Sequence, residues 1–336
     1  MKVPDLLHID DTRPGIRRRK WGRGFSYFDE HKKRISDQEL LSRIKNLAIP
    51  PAWLDVWICK QARGYLQATG RDEVKRKQYI YHPDWVAYRQ AIKFEKMFDF
   101  GSMLPQIRTA VEEGLKREQW DQEKVLALTV KLLDEVPMRV GNDYYTKTNQ
   151  TYGLTTLRRK HMNVSKKSIQ FNYRAKSGKE RTVDLADPTL IRLIKECSEL
   201  PGYEVFRYKD EAGKMNSINS QLLNEYIRSI SCEKFSCKDF RTWAANSISI
   251  ESYLELKKLP AEERPGNMET AVVKKVAAQL GNTESVCRNY YIHPEVREAI
   301  RSEQVPSYTQ SKKGHRPSAL KRLYREEAIA LAIMAK

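Results

Sequence analysis

Apolar residues recur at helical spacing through much of the chain and switch to strict alternation in a few short stretches. Leu126 to Val136 carries Leu128, Leu132, Leu133 and Val136 on or near one face, which predicts a buried helix that Pro137 ends or kinks. Between residues 153 and 185 the period falls to two. Ile169, Phe171 and Tyr173 share one strand face, Ser177-Gly178 is a hairpin turn signal, and Arg181 to Leu185 reads as the returning strand. Lys176 and Lys179 then sit at the hairpin tip. Nearer the N-terminus, Val56 to Cys59 and Tyr65 to Thr69 read as short strands, and Gly70-Arg71-Asp72 leads into a third, Gln78 to Tyr81. From Trp85 to Phe98 the pattern turns helical (Trp85, Tyr88, Ile92, Phe94, Phe98), which places a domain boundary near residue 84.

Capping signals fill in the rest. Ser36-Asp37-Gln38-Glu39 reads as a capping box, with Ile35 and Leu40 as its staple, opening a helix that stops before Pro50-Pro51. Asp187 as N-cap with Pro188 at the first helical position predicts a helix through Cys197. Ser217 to Ile230, Arg241 to Leu254 and Thr270 to Leu280 are helical, and Gly281 ends the last of these. Thr283 can cap a short helix that carries the chain to Tyr291. Residues 305 to 317 read as a polar, basic linker, and Ser318 to Ala335 as a final amphipathic helix.

Charge changes the picture from fold to partner. The net charge is +18, which implies a polyanionic partner, most simply nucleic acid, with an anionic membrane surface as the competitor. No apolar run approaches the ~20 residues of a membrane span. The opening Met1 to Leu7 has no apolar core of signal-peptide length, so the expected location is cytoplasmic. The basic run Arg17-Arg18-Arg19-Lys20, beside Trp21, Phe25, Tyr27 and Phe28, is either a DNA contact or a solvated face. The five cysteines show no CxxC pair, which argues against a zinc site or disulfide framework.

The candidate chemistry lies in an ordered series: Arg139, Lys176, Lys238-Asp239-Phe240-Arg241, Asn282, and Tyr291 nine residues later. Phosphodiester transfer needs a nucleophile, cations for the non-bridging oxygens and an acid for the leaving oxygen. Tyrosine is a poor nucleophile at its free pKa of about 10, and adjacent guanidiniums favour its anion. The arginine fork suits phosphate, and lysine can serve as the acid. Each residue alone has a plain structural reading: a core tyrosine, a helix-end ion pair, a solvated lysine, a helix stop. Their order and spacing carry the argument.

On those residues the chain resembles the type IB DNA topoisomerases, in the bacterial branch similar to the poxvirus enzymes. The matching stretches are Pro137 to Asn142, Tyr152 to Leu157, Arg174 to Lys179, Lys238 to Trp243 and Gly281 to Pro294, with Ile49 to Trp53 and Gly70 to Tyr79 upstream. The resemblance runs from about residue 20 to about residue 296, in preserved order. It implies Tyr291 as nucleophile forming a 3′-phosphotyrosyl bond, Arg139 and Arg241 as the phosphate clamp, Lys176 as general acid and Lys238 as its assistant. Asn282 stands where the poxvirus enzymes have histidine. Tyr290 reads as a neighbour of the nucleophile, since one residue along a helix turns a side chain by ~100°. Gln78, Tyr79, Tyr81, Arg71 and Lys179 are implied as DNA contacts.

The implied fold is α+β: a small β-rich N-terminal domain over residues 1–84, a mainly helical catalytic domain with a three-stranded antiparallel sheet over 85–300, and a basic linker and C-terminal helix over 301–336. The implied activity is ATP-independent relaxation of supercoiled DNA without metal or other cofactor, by a nucleoid-associated monomer clamped around double-stranded DNA. A tyrosine recombinase is the alternative enzyme, but recombinases carry His-x-x-Arg where this chain has Lys238 to Arg241. A basic architectural module would account for the charge and not for the ordered residues.

Overall fold

The computed structural model describes residues 2–232, 234–306 and 323–335. Residues 307–322, which hold most of the expected linker and the start of the expected last helix, lie outside the described residues. The chain divides into two compact units, Met1–Glu95 and Lys96–Lys336. The division falls inside one long helix rather than at residue 84, where that helix begins. No helix among the described residues is long and apolar enough to cross a membrane.

The first unit holds β1 (Ile16–Trp21), β2 (Gly24–Phe28), α1 (Gln38–Asn46), β3 (Leu54–Ile58), β4 (Leu66–Arg71), β5 (Lys77–Tyr81) and the start of α2 (Pro83–Leu115). Its antiparallel sheet runs β2-β1-β3-β4-β5. Ile16, Val56, Ile58 and Ala68 pack with Ile44 of α1 as its core. The N-cap of α1 is Asp37, whose carboxylate accepts the Leu40 N–H. Ser36 is therefore not the cap, because Asp37 already satisfies the orphan donor of the first turn. The basic run splits. Arg17, Arg19 and Lys20 are exposed, whereas Arg18 donates to the carbonyls of Ile49, Pro50 and Trp53 at 3.2, 3.0 and 2.7 Å and lies 4.2 Å over the Phe25 ring.

The second unit continues with α3 (Gln122–Glu135), α4 (Asp143–Asn149), β6 (Met162–Val164), β7 (Ile169–Arg174), β8 (Glu180–Leu185), α5 (Pro188–Ser198), β9 (Arg207–Lys209), β10 (Met215–Ser217), α6 (Ser220–Ile230), α7 (Cys237–Lys257), α8 (Met268–Leu280), α9 (Glu284–Tyr290), α10 (Pro294–Arg301) and α11 (Arg325–Met334). Its three-stranded antiparallel sheet, β6-β7-β8, carries the hairpin read from the sequence. Ile169, Phe171 and Tyr173 all face inward. Residues 154–161 form two 3-10 turns instead of strand. Helix α6 starts later than expected because residues 215–217 pair with β9.

Helix α7 crosses the centre of this unit. Phe240 and Trp243 enter the main core, and Gly101 of α2 leaves the room that the Trp243 ring takes, since a Cβ there would sit 2.2 Å from it. The Trp243 indole donates to Glu327 of α11 at 3.0 Å. Glu327 also accepts from Arg108, which pairs with Asp134 at 2.7 Å, so one guanidinium joins α2, α3 and α11 behind α7. Asp239 closes a capping box with Ser236 and pairs with Lys96 at 3.0 Å. The other face of α7 packs Ala245, Ile248 and Tyr253 against α8 and sends Arg241 and Asn246 to the backbone at Leu280 and Tyr291.

Candidate active site

Arg139 follows α3 in a loop held backbone to backbone. Its carbonyl accepts the Leu154 N–H at 2.8 Å, and the Val140 carbonyl accepts the Thr155 N–H at 2.6 Å. Gly141 has φ +99, and a Cβ on Gly153 would come within 2.5 Å of the Arg139 carbonyl oxygen. The two glycines are what allow Pro137–Asn142 and Tyr152–Leu157 to touch.

The Arg139 guanidinium donates to the side-chain oxygen of Asn282 and to the Gly281 carbonyl at 3.4 Å. Gly281 is left-handed (φ 64) and stops α8, and the Asn282 N–H returns to the Ala277 carbonyl at 3.0 Å. Asn282 is thus both the helix stop and a group aimed at an arginine. Its Nδ2 is buried with no hydrogen-bond partner of regular geometry among the described residues. Burial pushes the nearby Cys287 thiol up, and the Asn282 amide partly offsets that.

Arg241 is 6% exposed on α7. It donates to the Pro137 carbonyl and, at 3.1 Å, to the Leu280 carbonyl. Its guanidinium carbon lies 5.7 Å from the centre of the Tyr291 ring. Burial pushes the Arg241 pKa down, the Tyr291 hydroxyl pulls it up by charge and hydrogen bond, and Arg139 pushes it down. Arg139, Arg241, Asn282 and Tyr291 therefore form one cluster. Thr283 caps α9 through the Val286 N–H, so α9 is a one-piece spacer: Asn282 precedes it and Tyr291 is its C-cap. Tyr290 is exposed, while Tyr291 is half-buried against the α7–α8 core.

The structure does not bring the two lysines into that cluster. Lys176 is exposed in the hairpin turn, where Ser177 and Gly178 both have positive φ, and Lys179 beside it is exposed as well. Lys238 is exposed one turn before the buried Arg241. Neither the Lys176 nor the Lys238 side-chain amine has a hydrogen-bond or ion-pair partner among the described residues.

In the first unit, β5 alternates. Lys77, Tyr79 and Tyr81 point outward, the two tyrosine rings lying 6.0 Å apart and within 9° of parallel. Gln78 faces the other side and donates to Asp72 at 2.9 Å. Arg71 is exposed, with one donor on the Lys75 carbonyl at 3.0 Å.

Two residues of the site escaped the sequence reading. Asn246, fully buried on α7, donates to the Tyr291 carbonyl at 3.2 Å and accepts the His293 N–H at 2.7 Å. An asparagine inside an apolar helix disfavours that helix, and this was the one available signal. Arg181, one basic residue among 61, offered none; its guanidinium donates to the carbonyls of Ala278 and Gln279.

Comparison with known proteins fits this geometry. The family described as eukaryotic DNA topoisomerase I, catalytic core, matches residues 77–316, and that described as bacterial DNA topoisomerase IB, N-terminal domain, matches residues 24–72. The DNA topoisomerase 1B of Acanthamoeba polyphaga mimivirus is 31% identical over 286 residues, spanning 83% of this chain and 85% of the relative. That of vaccinia virus (strain Copenhagen) is 22% identical over 79% of this chain and 82% of its own. A solved chain of the XerH site-specific recombinase bound to difH substrate aligns with TM-score 0.36 and 16% identity over 56% of this chain and 48% of its own.

Proposed function

Because this chain belongs to the type IB DNA topoisomerase family, we propose that the Arg139–Arg241–Asn282–Tyr291 cluster is its cleavage site. The Tyr291 hydroxyl gives its proton to solvent water and attacks the scissile phosphorus. The bond to the 5′-oxygen breaks, a 3′-phosphotyrosyl bond forms, and the departing 5′-oxygen takes a proton from Lys176. The duplex then turns about the intact strand. In the reverse step the 5′-hydroxyl returns its proton to Lys176 and attacks, Tyr291 leaves as the phenolate and is reprotonated by water, and the strand is resealed. The phosphodiester energy stays in the covalent bond throughout, so the cycle needs neither ATP nor a metal.

One observation carries this reading. The buried Arg241 guanidinium lies against the Tyr291 ring while Arg139 holds Asn282 by its oxygen, which leaves the buried Nδ2 beside the Cys287 thiol with no oxygen acceptor among the described residues. A buried donor without an acceptor costs about 1–3 kcal/mol. A non-bridging phosphate oxygen would relieve that cost where negative charge develops. Arg241 and Arg139 supply further donors from the same side, since each guanidinium carries five. Lys176 and Lys238, exposed in the free protein, meet the leaving oxygen only on bound DNA, with Lys238 assisting the proton transfer.

The substrate is double-stranded DNA, bound by a monomer clamped on the duplex and associated with the nucleoid. Tyr79 and Tyr81 on the exposed face of β5, Arg71 on the paired strand and Lys179 on the hairpin supply DNA contacts, and Gln78, on the other face of β5 and held by Asp72, contributes through the same strand. Such binding rests on phosphate neutralisation and weakens with salt.

The test is relaxation of supercoiled plasmid in EDTA without ATP, with trapping of the covalent adduct by detergent. The parent relaxes both positive and negative supercoils and gives an adduct, and Tyr291→Phe does neither. Full relaxation by Tyr291→Phe, or none by the parent, refutes the reading.

A further inference from the structure

Four consecutive carbonyls at the end of α8 each receive a guanidinium. Arg181 donates through Nη1 to Ala278 at 3.1 Å and through Nη2 to Gln279. Arg241 donates to Leu280 at 3.1 Å and Arg139 to Gly281 at 3.4 Å. The last carbonyls of a helix lack intrahelical donors and form the negative end of its dipole, so they can hold three cations side by side. Two of these arginines belong to the cleavage cluster. The third comes from a different element.

Arg181 is on β8, paired across the hairpin with Tyr173, in the same β7–β8 hairpin whose turn carries Lys176. Its backbone moves with Lys176, and its side chain is fastened to the turn before Asn282. The contact is close: a Cβ on Gly281 would lie 3.2 Å from the Arg181 Nη1. Tyr173, buried beside Arg181, is also within the field of Arg241 and Arg139. Among the described residues the Lys176 amine has no partner to fix it, so its placement depends on the placement of the hairpin.

We propose that Arg181 is a positioning residue for the leaving-group step, holding the Lys176 hairpin against the C-terminal carbonyls of α8 and so in register with Asn282 and Arg139. The proposal rests on the reading of Lys176 as proton donor to the 5′-oxygen. In this role Arg181 acts through the hairpin that carries Lys176 and not on the reacting atoms. A displacement of about 1 Å in a reacting group can cost about 100-fold in rate, and losing both Arg181 bonds removes the tie between β8 and the end of α8.

The experiment compares single-turnover cleavage of two duplexes that differ in one atom, oxygen or sulfur at the scissile 5′ bridging position. Sulfur departs as a thiolate and needs no proton. Arg181→Ala is expected to cleave the oxygen substrate about 10- to 100-fold more slowly than the parent and to recover most of that loss on sulfur, with DNA affinity unchanged. Arg181→Lys keeps the charge and one donor and falls between; it also serves if the alanine variant unfolds at the assay temperature. A helix cap alone would lower the melting temperature without distinguishing oxygen from sulfur. Equal slowing on both substrates, or no slowing on oxygen, overturns the proposal. Lys176→Ala in the same assay separates the two levels. If sulfur rescues Lys176→Ala but not the Arg181 variants, the acid assignment stands and the role of Arg181 falls. If sulfur rescues neither, both fall.

Discussion

The Asn246 side-chain amide donates to the main-chain carbonyl of Tyr291 at 3.2 Å, and its oxygen accepts the N–H of His293 at 2.7 Å. One buried side chain thus holds the backbone at and just beyond Tyr291, between the C-cap of α9 and the N-cap of α10. Asn246→Ala removes both bonds, a loss of about 1–3 kcal/mol. Single-turnover formation of the covalent adduct is expected to slow by about 10- to 100-fold, with a lower melting temperature. Asn246→Asp keeps the acceptor for His293 but turns a buried carboxylate oxygen onto the Thr242 and Tyr291 carbonyls, so it should do no better than alanine. Unchanged adduct formation by Asn246→Ala would remove this residue from the site.

Asn282 separates stability from catalysis. A carboxylate at this position accepts from Arg139 more strongly than the amide oxygen does. It also removes the buried Nδ2 donor and sets a negative charge against the phosphate. Asn282→Asp is expected to match or exceed the parent in melting temperature while cleaving at least about 100-fold more slowly, the cost of one lost oxyanion donor. Asn282→His restores a ring N–H donor and should retain much more activity. Thermal unfolding and adduct kinetics on the same preparations check both halves.

Arg108 pairs with two carboxylates, Asp134 at 2.7 Å and Glu327 at 2.8 Å, with side-chain exposures of 10% for the arginine and 5% for each acid. Arg108→Ala leaves two buried carboxylates without their cation and should cost about 3–5 kcal/mol in denaturant unfolding. Glu327→Gln keeps an acceptor for the Trp243 indole and should cost about 1–2 kcal/mol. Comparable stability for Arg108→Ala and the parent would show that α11 is not fastened as the ion pairs indicate.

His161 is 8% exposed. Its Nδ1 accepts the Arg158 N–H at 3.1 Å. Burial, with Lys160 and Arg158 adding to it, lowers its pKa from 6.5 to about 4. Between those values the unfolded chain binds a proton that the folded chain does not. The stabilisation is complete above pH 6.5 and is lost as the pH falls through the folded value near 4, by at most about 1.4 kcal/mol per pH unit. His161→Gln keeps an acceptor for Arg158 and cannot titrate. Urea midpoints across that range should fall less steeply for the variant than for the parent.

The local signals in the sequence translated well where one residue type has one local use. Asp187 with Pro188, Gly281 as a left-handed stop and Thr283 as a cap all do in the structure what their chemistry dictates over three or four residues. The alternation of Ile169, Phe171 and Tyr173 gave the hairpin and thereby the place of Lys176. Misreadings came where a neighbour competed. Asp37 took the cap from Ser36, and residues 215–217 joined β9 before α6 began. Arg18 belongs to a run of four basic residues that look alike in sequence, yet it is held by three carbonyls more than thirty residues away.

The sequence by itself determined the chemistry available, the order of the residues that carry it, and the spacer of one short helix between Asn282 and Tyr291, because caps, helix stops and strand alternation act over a few neighbouring residues. Only the tertiary structure decided that Arg139, Arg241 and Arg181 meet on the four final carbonyls of α8, that Asn246 grips the backbone beyond Tyr291, and that Glu327 braces α7 from behind. Those contacts join elements 39 to 219 residues apart. Their partners are main-chain carbonyls and buried pairs, which leave no mark in the residue pattern and exist only once helix ends have been brought together.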